Sequence, residues 1–444
     1  MFCRLTALAV LLSALPAGAE PAGRVVLVSI DGLRPEFYLA EGGFKAPVLQ
    51  RLAKEGARAG DVETVFPSTT CPAHATLVTG VRPDRHGVSY DLVRDPSYQR
   101  TGRYTHASDL RAPALWNALR DAKGTGASLF WPCTAGAPLD WNLPDVEGTA
   151  DPAATLRRHA TAGLLEALEP EAGAATKEAL GSPSLQDALA AKAAAWILKT
   201  KKPHLLMVRL VQAAAAQREH GRSHDAVASA VTWADEALGT IVQGIADAGL
   251  EAETTLVVTG GHGFADCDRI CAPNTVLRAE GLIAGDRPTT AWLAVAHTAG
   301  GAAAVFVEPA SPLPAAEVEK RFRAQADFKG SPVYAVLTRE QLDGLKAMPG
   351  AAFGLAAEPG WTFTDELRAK VPFLRSLGRT KGMSGAPATR PGMDTGLVLR
   401  GRRVKAGAVV ASARLVDVAP TVAALMGIRL PEVEGRVLAE LLDP

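Results

Sequence analysis

The sequence predicts an α/β fold, a doubly wound and mostly parallel sheet with helices on both faces and a smaller cap or insertion. Three observations point there: short, almost continuous apolar runs, amphipathic helical stretches between them, and polar or glycine-containing turns where the runs end. A strand buried on both faces reads as continuous apolar sequence rather than as alternation. Arg24 to Ile30 (RVVLVSI) has that pattern and stops at Asp31-Gly32. Similar runs recur at His204 to Val211, Thr254 to Thr259, Ala302 to Val307 and Gly396 to Leu399. Helical patterning fills Ser184 to Leu198 and Ser223 to Ala248; in the second, Ser223 is the expected N-cap, and Val227, Val231, Leu238 and Ile245 form one stripe. In open sheets of this kind reactive groups gather where strands end and loops enter helices. Asp31, Gln212 and Gly260-Gly261-His262 fall at such ends. The stretch from about 288 to 372 is richer in Ala, Pro and Gly and less regular, as expected of a cap or insertion over the site.

At 444 residues the chain is long enough for a large core. Lys plus Arg and Asp plus Glu are equal at 47 each, with no long run of one sign, so nothing in the sequence marks a nucleic-acid footprint. The N-terminus combines Arg4, an apolar stretch from Leu5 to Leu15, and Ala17-Gly18-Ala19. That is the pattern of a cleaved signal peptide over residues 1–19, with Glu20 as mature N-terminus and a periplasmic or secreted location. No later segment is apolar enough to be a spanning candidate. Four cysteines would remain, Cys71, Cys133, Cys267 and Cys271, with three possible pairings. The close spacing of Cys267 and Cys271 makes a local bridge the first expectation, and a Zn site a weaker alternative.

The most informative segment is FPSTTCPAHATLVTG, Phe66 to Gly80, which reads as a loop carrying a hydroxyl nucleophile into a helix. Together with IDGLRPEF (Ile30 to Phe37), the continuation to Val88, and VTGGHGFAD (Val258 to Asp266), it resembles the nucleotide pyrophosphatase/phosphodiesterase branch of the alkaline phosphatase superfamily. FWPCTAGAPLD (Phe130 to Asp140), APNTVLRAEGLI (Ala272 to Ile283) and DVAPTVAALMGIRLPEVEGRVL (Asp417 to Leu438) are similar to family segments in the same order. The related sulfatases need Cys-x-Pro-x-Arg; here the run is Cys71-Pro72-Ala73-His74.

The resemblance implies a Thr nucleophile activated by one of two Zn ions, acting on a phosphoester or phosphate-like small molecule. A Thr hydroxyl attacks poorly until a metal or base lowers its pKa, and paired ions neutralise charge on the attacking and leaving oxygens. Thr70 matches the nucleophile, and Asp31 and His262 match remaining metal ligands. Other ligand positions are substituted: Ala214 and Arg218 stand for an Asp and a His, Gly261 for an Asp, and Ser384 for a final His. One metal site thus loses all three protein ligands and the other loses one, so at most one Zn is expected. Asp91 stands where the family has an Asn that donates to phosphate; two like charges about 4 Å apart repel by roughly 4 kcal/mol at an effective dielectric of about 20. Cys71 replaces an aromatic residue that packs on the substrate.

These substitutions leave several readings open. Thr70 is a nucleophile or a helix N-cap. Asp31 is a ligand, or a carboxylate needing an Arg or backbone donors. His262 is a ligand or a hydrogen-bonded turn residue. Arg218 supplies fixed positive charge to Asp31 or Asp91, or lies in solvent. His74 and His86 are expected to be structural, Asp91 or Asp266 to complete a one-metal site at most, and His220 and His224 to serve a metal only from a helix. The leading expectation is an exported phosphodiesterase-like protein with a degenerate two-metal site, inactive or weak, acting by binding. The alternative is an active phosphoesterase using Thr70 with one metal or with Arg218 in place of one.

Overall fold

The computed structural model describes residues 20–93, 102–284, 292–367 and 373–443, so the expected signal segment 1–19 lies outside the described residues. The first six strands are β1 (Arg24–Ile30), β2 (Ala57–Glu63), β3 (Gly126–Leu129), β4 (Trp141–Leu143), β5 (Leu205–Leu210) and β6 (Thr254–Thr259). They are followed by β7 (Ala265–Cys271), β8 (Ala294–Ala299), β9 (Ala302–Val307), β10 (Asp327–Phe328), β11 (Ser331–Pro332) and β12 (Tyr334–Leu337). The last five are β13 (Phe353–Ala357), β14 (Gly360–Phe363), β15 (Leu374–Met383), β16 (Leu397–Gly401) and β17 (Val409–Arg414). The main sheet has eight strands in the order β17-β2-β16-β6-β1-β5-β3-β4. Of these, β16 alone runs antiparallel to its neighbours β2 and β6, so the sheet is mostly parallel as the apolar runs predict.

Strand alternation divides the core. On one face Val26, Val28 and Ile30 of β1 pack with Leu206, Val208 and Leu210 of β5 against the helices Pro47–Glu55, Pro183–Thr200 and Asp225–Asp247. On the other, Val25 and Leu27 with Leu205 and Met207 pack against the helices Thr70–Thr79, Leu115–Asp121 and Val418–Met426. Each such side chain, fully buried, contributes about 1.5–3 kcal/mol. The second stripe does not stay apolar. It continues at its C-terminal end into Ser29 and Asp31 of the β1 segment and Arg209 of β5, whose register places Arg209 opposite Ser29.

Three expectations need correction. Ala302–Val307 is not a strand of the main sheet; it is β9 of an antiparallel sheet ordered β12-β13-β9-β8. Only Gly300 and Gly301 separate β8 from β9, and a connection that short permits only an antiparallel pair. The helix expected to be capped by Ser223 is capped by His224, whose Nδ1 accepts the Ala226 N–H at 3.1 Å. A local Cys267–Cys271 bridge is excluded by geometry, and both thiols are free and buried. Both lie on β7, where four residues of extended chain span about 13 Å, against about 4.4–6.8 Å between bridged Cα atoms.

The antiparallel sheet falls within the irregular stretch noted in the sequence and has its own core of Val305, Phe322, Tyr334, Phe353 and Leu355. A second apolar cluster joins its Val295, Phe306 and Met348 to Phe66 and Tyr90, which flank the helix Thr70–Thr79 in sequence. No described helix is long and apolar enough to cross a membrane.

Candidate functional site

The site lies where β1 and β5 end and the helix Thr70–Thr79 begins. The Asp31 amide donates to the Leu210 carbonyl at 2.8 Å, which fixes the residue beyond the end of β1. Its carboxylate meets the Arg209 guanidinium: Nε and Nη2 donate to the same oxygen, Oδ2, at 3.0 and 2.7 Å, and both side chains are only 2% exposed. Burial, the largest single influence, raises the Asp31 pKa, but the Arg209 charge and hydrogen bonds together with the nearby His74 and His262 outweigh it and hold the group well below the usual carboxylate range. Arg209 itself is kept charged, against burial, by Asp31, Asp145 and Glu147. It reaches Asp145 at 3.0 Å and Glu147 at 3.2 Å, and Arg103 extends the network to the same two carboxylates at 3.9 and 3.6 Å.

His74, one turn into the helix, closes the other side of Asp31. Its Nδ1 donates to the Thr70 carbonyl at 2.8 Å; its Nε2 lies 2.9 Å from the Ser29 hydroxyl and 3.3 Å from Asp31 Oδ1. Since Nδ1 must donate to a carbonyl, the neutral ring accepts at Nε2. Burial, chiefly, pushes its pKa down to about 4, which keeps it neutral. His74, which sequence reasoning set apart from the site, is therefore at its centre. His86 lies away from it, hydrogen-bonded to Thr76 at 3.1 Å and to the Val88 amide at 3.2 Å.

Thr70 is the first residue of its helix; the N-cap is Thr69, which makes no side-chain capping bond. The N-cap alternative for Thr70 is thereby corrected. The helix N-terminus is served instead by Asp91, which accepts the Cys71 N–H at 2.7 Å. A carboxylate is favoured there by the exposed N–H groups and the helix dipole. His262 is buried, its Nδ1 donating to the Gly263 carbonyl at 2.8 Å, and burial lowers its pKa.

Arg218 does not pair with Asp31 or Asp91. It is exposed on the helix Gln212–His220 with its guanidinium 6.0 Å from the Phe264 ring centroid, and the partner of Asp31 is Arg209 instead. The reason is placement: Arg209 projects from the strand beside β1 on the same face as Asp31, whereas Arg218 is two helical turns beyond it. Both line a cavity of about 240 Å³ with Asp31, Asp145, Glu147 and Ala214. Gly261 approaches the helix so closely that a Cβ there would lie 2.9 Å from that of Ala73. Ser384 is placed by its carbonyl, which accepts the Gly301 N–H at 2.8 Å, next to Gly385, whose amide donates to the Ser68 carbonyl at 2.9 Å. Asp266 is taken up by the Arg222 amide at 2.6 Å, and His220 stacks on His224 at 4.8 Å.

Sequence reasoning missed Arg209, Asp145, Glu147 and Arg103. Arg209 carried a signal, being the one charge in the fully buried strand LLMVRL; a guanidinium in such a place needs carboxylates close by. The loop residues carried none.

The sequence pattern of the type I phosphodiesterase / nucleotide pyrophosphatase family matches residues 25–387, most of the chain. This chain belongs to that family. Ectonucleotide pyrophosphatase/phosphodiesterase family member 1 of Rattus norvegicus is 23% identical over 244 residues, 54% of this chain and 24% of the relative. Venom phosphodiesterase 1 of Crotalus adamanteus is 23% identical over 263 residues, 57% of this chain and 27% of its own length. The matched stretch therefore spans about a quarter of these curated relatives. Among solved structures, an inactive form of murine ectonucleotide pyrophosphatase / phosphodiesterase 5 in complex with AMP superposes with a TM-score of 0.69. It is 17% identical, covering 95% of this chain and all of that one. The fold is the alkaline-phosphatase-like one of the family.

Members of this type I phosphodiesterase family are typically metal-dependent. The residues present here do not fit a Zn site. Asp31 Oδ2 is occupied by a guanidinium, Ala214 and Gly261 offer no side-chain donor, and Arg218 is cationic. Among the described residues no group of three or more His, Cys, Asp or Glu is arranged to hold a metal ion.

Proposed function

We propose that this protein is an exported member of the type I phosphodiesterase / nucleotide pyrophosphatase family that has given up two-metal hydrolysis and acts by binding. The reading rests on one observation above all, the buried Arg209–Asp31 pair at 2.7 Å. Where a hydrolase of the family would need a cation at Asp31, this chain supplies a guanidinium from its own strand. Asp91 complements it at the helix N-terminus, where its carboxylate takes the amide next to Thr70 and so stands where a phosphate oxygen would be held. Thr70 keeps the nucleophile position with no base or metal to activate it: the neutral His74 ring bonds to the Thr70 carbonyl and to Ser29.

An active form using an arginine in place of a metal is the poorer reading. Arg209 already faces three carboxylates, leaving no net positive charge for a developing phosphoryl oxyanion. Even so, removing metal stabilisation costs several kcal/mol of barrier, and each 1.36 kcal/mol is about tenfold in rate. The antiparallel sheet that packs on Phe66 and Tyr90 is taken as a cap beside the site, and AMP-like phosphoesters as the first ligands to try.

The test is elemental analysis of protein purified without chelators, with hydrolysis of a chromogenic phosphodiester followed in added Zn. No bound metal and no turnover beyond that of Thr70→Ala is expected. Near-stoichiometric Zn with Thr70-dependent turnover would overturn the reading.

A further inference from the structure

Two of the four cysteines of the mature chain stand together. Cys71 and Cys133 are 0% and 1% exposed and share a small apolar cluster with Ala75 and Val88, separate from the clusters that hold Cys267 and Cys271. Both thiols approach one atom, the Tyr104 carbonyl oxygen, Cys71 Sγ at 4.0 Å and Cys133 Sγ at 3.7 Å. The backbone adds an independent sign. Cys133 has φ +58°, in the left-handed region where glycine is at ease and a side chain is held at a cost. A thiol kept at that position, in one cluster and on one carbonyl with a second thiol, needs a reason that simple packing of so small a group does not give.

We infer that Cys71 and Cys133 form a disulfide in the protein matured under oxidising conditions. With both sulfurs within 4.0 Å of one oxygen, the bond requires the two side chains to turn toward each other. The chemistry balances simply. The S–H bonds of both residues and the S–S bond of a donor disulfide, such as glutathione disulfide, break, and one protein S–S bond forms. The two electrons and the two protons pass to the donor, which leaves as two thiols, by exchange through a mixed disulfide. Since both side chains are buried in the folded state, exchange takes place while the chain folds rather than afterwards. The bond ties the first turn of the helix Thr70–Thr79 to the loop after β3. It also sets a covalent tether beside Arg103, whose Nη2 lies 3.6 Å from Cys71 Sγ and also reaches Asp145 and Glu147. Oxidation thus fixes the Asp91-capped helix end against the ion-pair network. The inference does not depend on whether the site hydrolyses, binds or does neither.

The experiment refolds the full mature chain in a glutathione and glutathione disulfide buffer. It is then alkylated with iodoacetamide in guanidinium without reductant, digested, and its linked peptides identified by mass spectrometry. A single linked pair joining Cys71 to Cys133, with Cys267 and Cys271 alkylated, is expected. Alkylation of all four cysteines, or a link involving Cys267 or Cys271 instead, would overturn the inference. As a check that does not rely on peptide recovery, Cys71→Ser, Cys133→Ser and the double variant are melted with and without dithiothreitol. Equal, non-additive drops in Tm that match the effect of the reductant are expected. Additive drops, or a wild-type Tm indifferent to reductant, would count against the bond.

Discussion

The two ends of the site are filled in opposite senses. At Asp31, the position proposed for a cation in a hydrolase of the family, the chain places Arg209; at the N-terminus of the helix Thr70–Thr79, the position proposed for an anion, it places Asp91. They differ in depth. The Arg209–Asp31 contact is two hydrogen bonds between groups 2% exposed, whereas Asp91 is half-buried and takes one amide. A charge pair taken out of water must stay paired, while a partly solvated cap is replaceable by water or by a ligand. The cation end is therefore a fixed part of the fold, and the anion end is the one that a ligand can compete for.

The largest effect that would break this contrast is at Arg209. Arg209→Ala leaves Asp31, Asp145 and Glu147 facing one another without their shared cation, and should cost about 3–5 kcal/mol in urea unfolding. A loss below about 1 kcal/mol would show that the pair is not the fixed end. A similar-volume apolar replacement of both partners, Arg209→Met with Asp31→Leu, should lose less than Arg209→Ala alone, because one buried carboxylate fewer is left without its cation.

A second buried carboxylate sharpens the comparison through pH. Asp187 accepts the Val211 and Gln212 amides at 2.7 and 3.2 Å but has no guanidinium against it. Burial pushes its pKa up to about 7 from 3.8, despite those bonds. Asp31, with Arg209, shifts the other way. The signs follow from linkage. Asp31 contributes stability that is present above the unfolded carboxylate pKa and is lost as the pH falls below it. Asp187 contributes stability that is present below 3.8 and is lost as the pH rises through about 7. Wild type minus Asp187→Asn should therefore fall by a few kcal/mol at most between pH 4 and 7. A flat difference would mean that the two amides suffice to keep Asp187 ionised.

At the replaceable end the effect should be smaller in stability and visible in binding. Asp91→Asn keeps an oxygen for the Cys71 amide but removes the charge, so a cost of about 1 kcal/mol or less is expected. Removing a like charge should tighten AMP by about tenfold or more, measured by calorimetry at low salt. No change in AMP affinity would separate Asp91 from any anion position.

Much of this was legible in the sequence, and the gaps have physical causes. The parallel sheet follows from apolar runs, and Asp31, Thr70, Asp91, Ala214, Gly261 and His262 stand out in the sequence because each sits in an ordered motif. The partner of Asp31 was not, because pairing across neighbouring strands is set by register, and only the structure aligns Ser29 with Arg209. Ala302 to Val307 misled for a related reason: an apolar run of six does not say which sheet it joins. Cys267 and Cys271 misled because closeness in sequence is distance along a strand.

Arg218 gives the smallest expected effect and the cleanest discrimination. The sequence leaves it as either a stand-in for a lost ligand or a solvent-exposed residue; in the structure it is exposed and lies over Phe264. An exposed guanidinium with no ion-pair partner among the described residues loses little when removed, so Arg218→Ala should change stability by no more than about 0.5 kcal/mol. It lines the same cavity as Arg209, though, and its charge acts on Glu147. If that cavity is where an anionic ligand enters, Arg218→Ala should weaken AMP binding while leaving the unfolding midpoint where it was. An unchanged affinity would confine Arg218 to the surface and leave Asp91 as the one group through which charge controls access to the site.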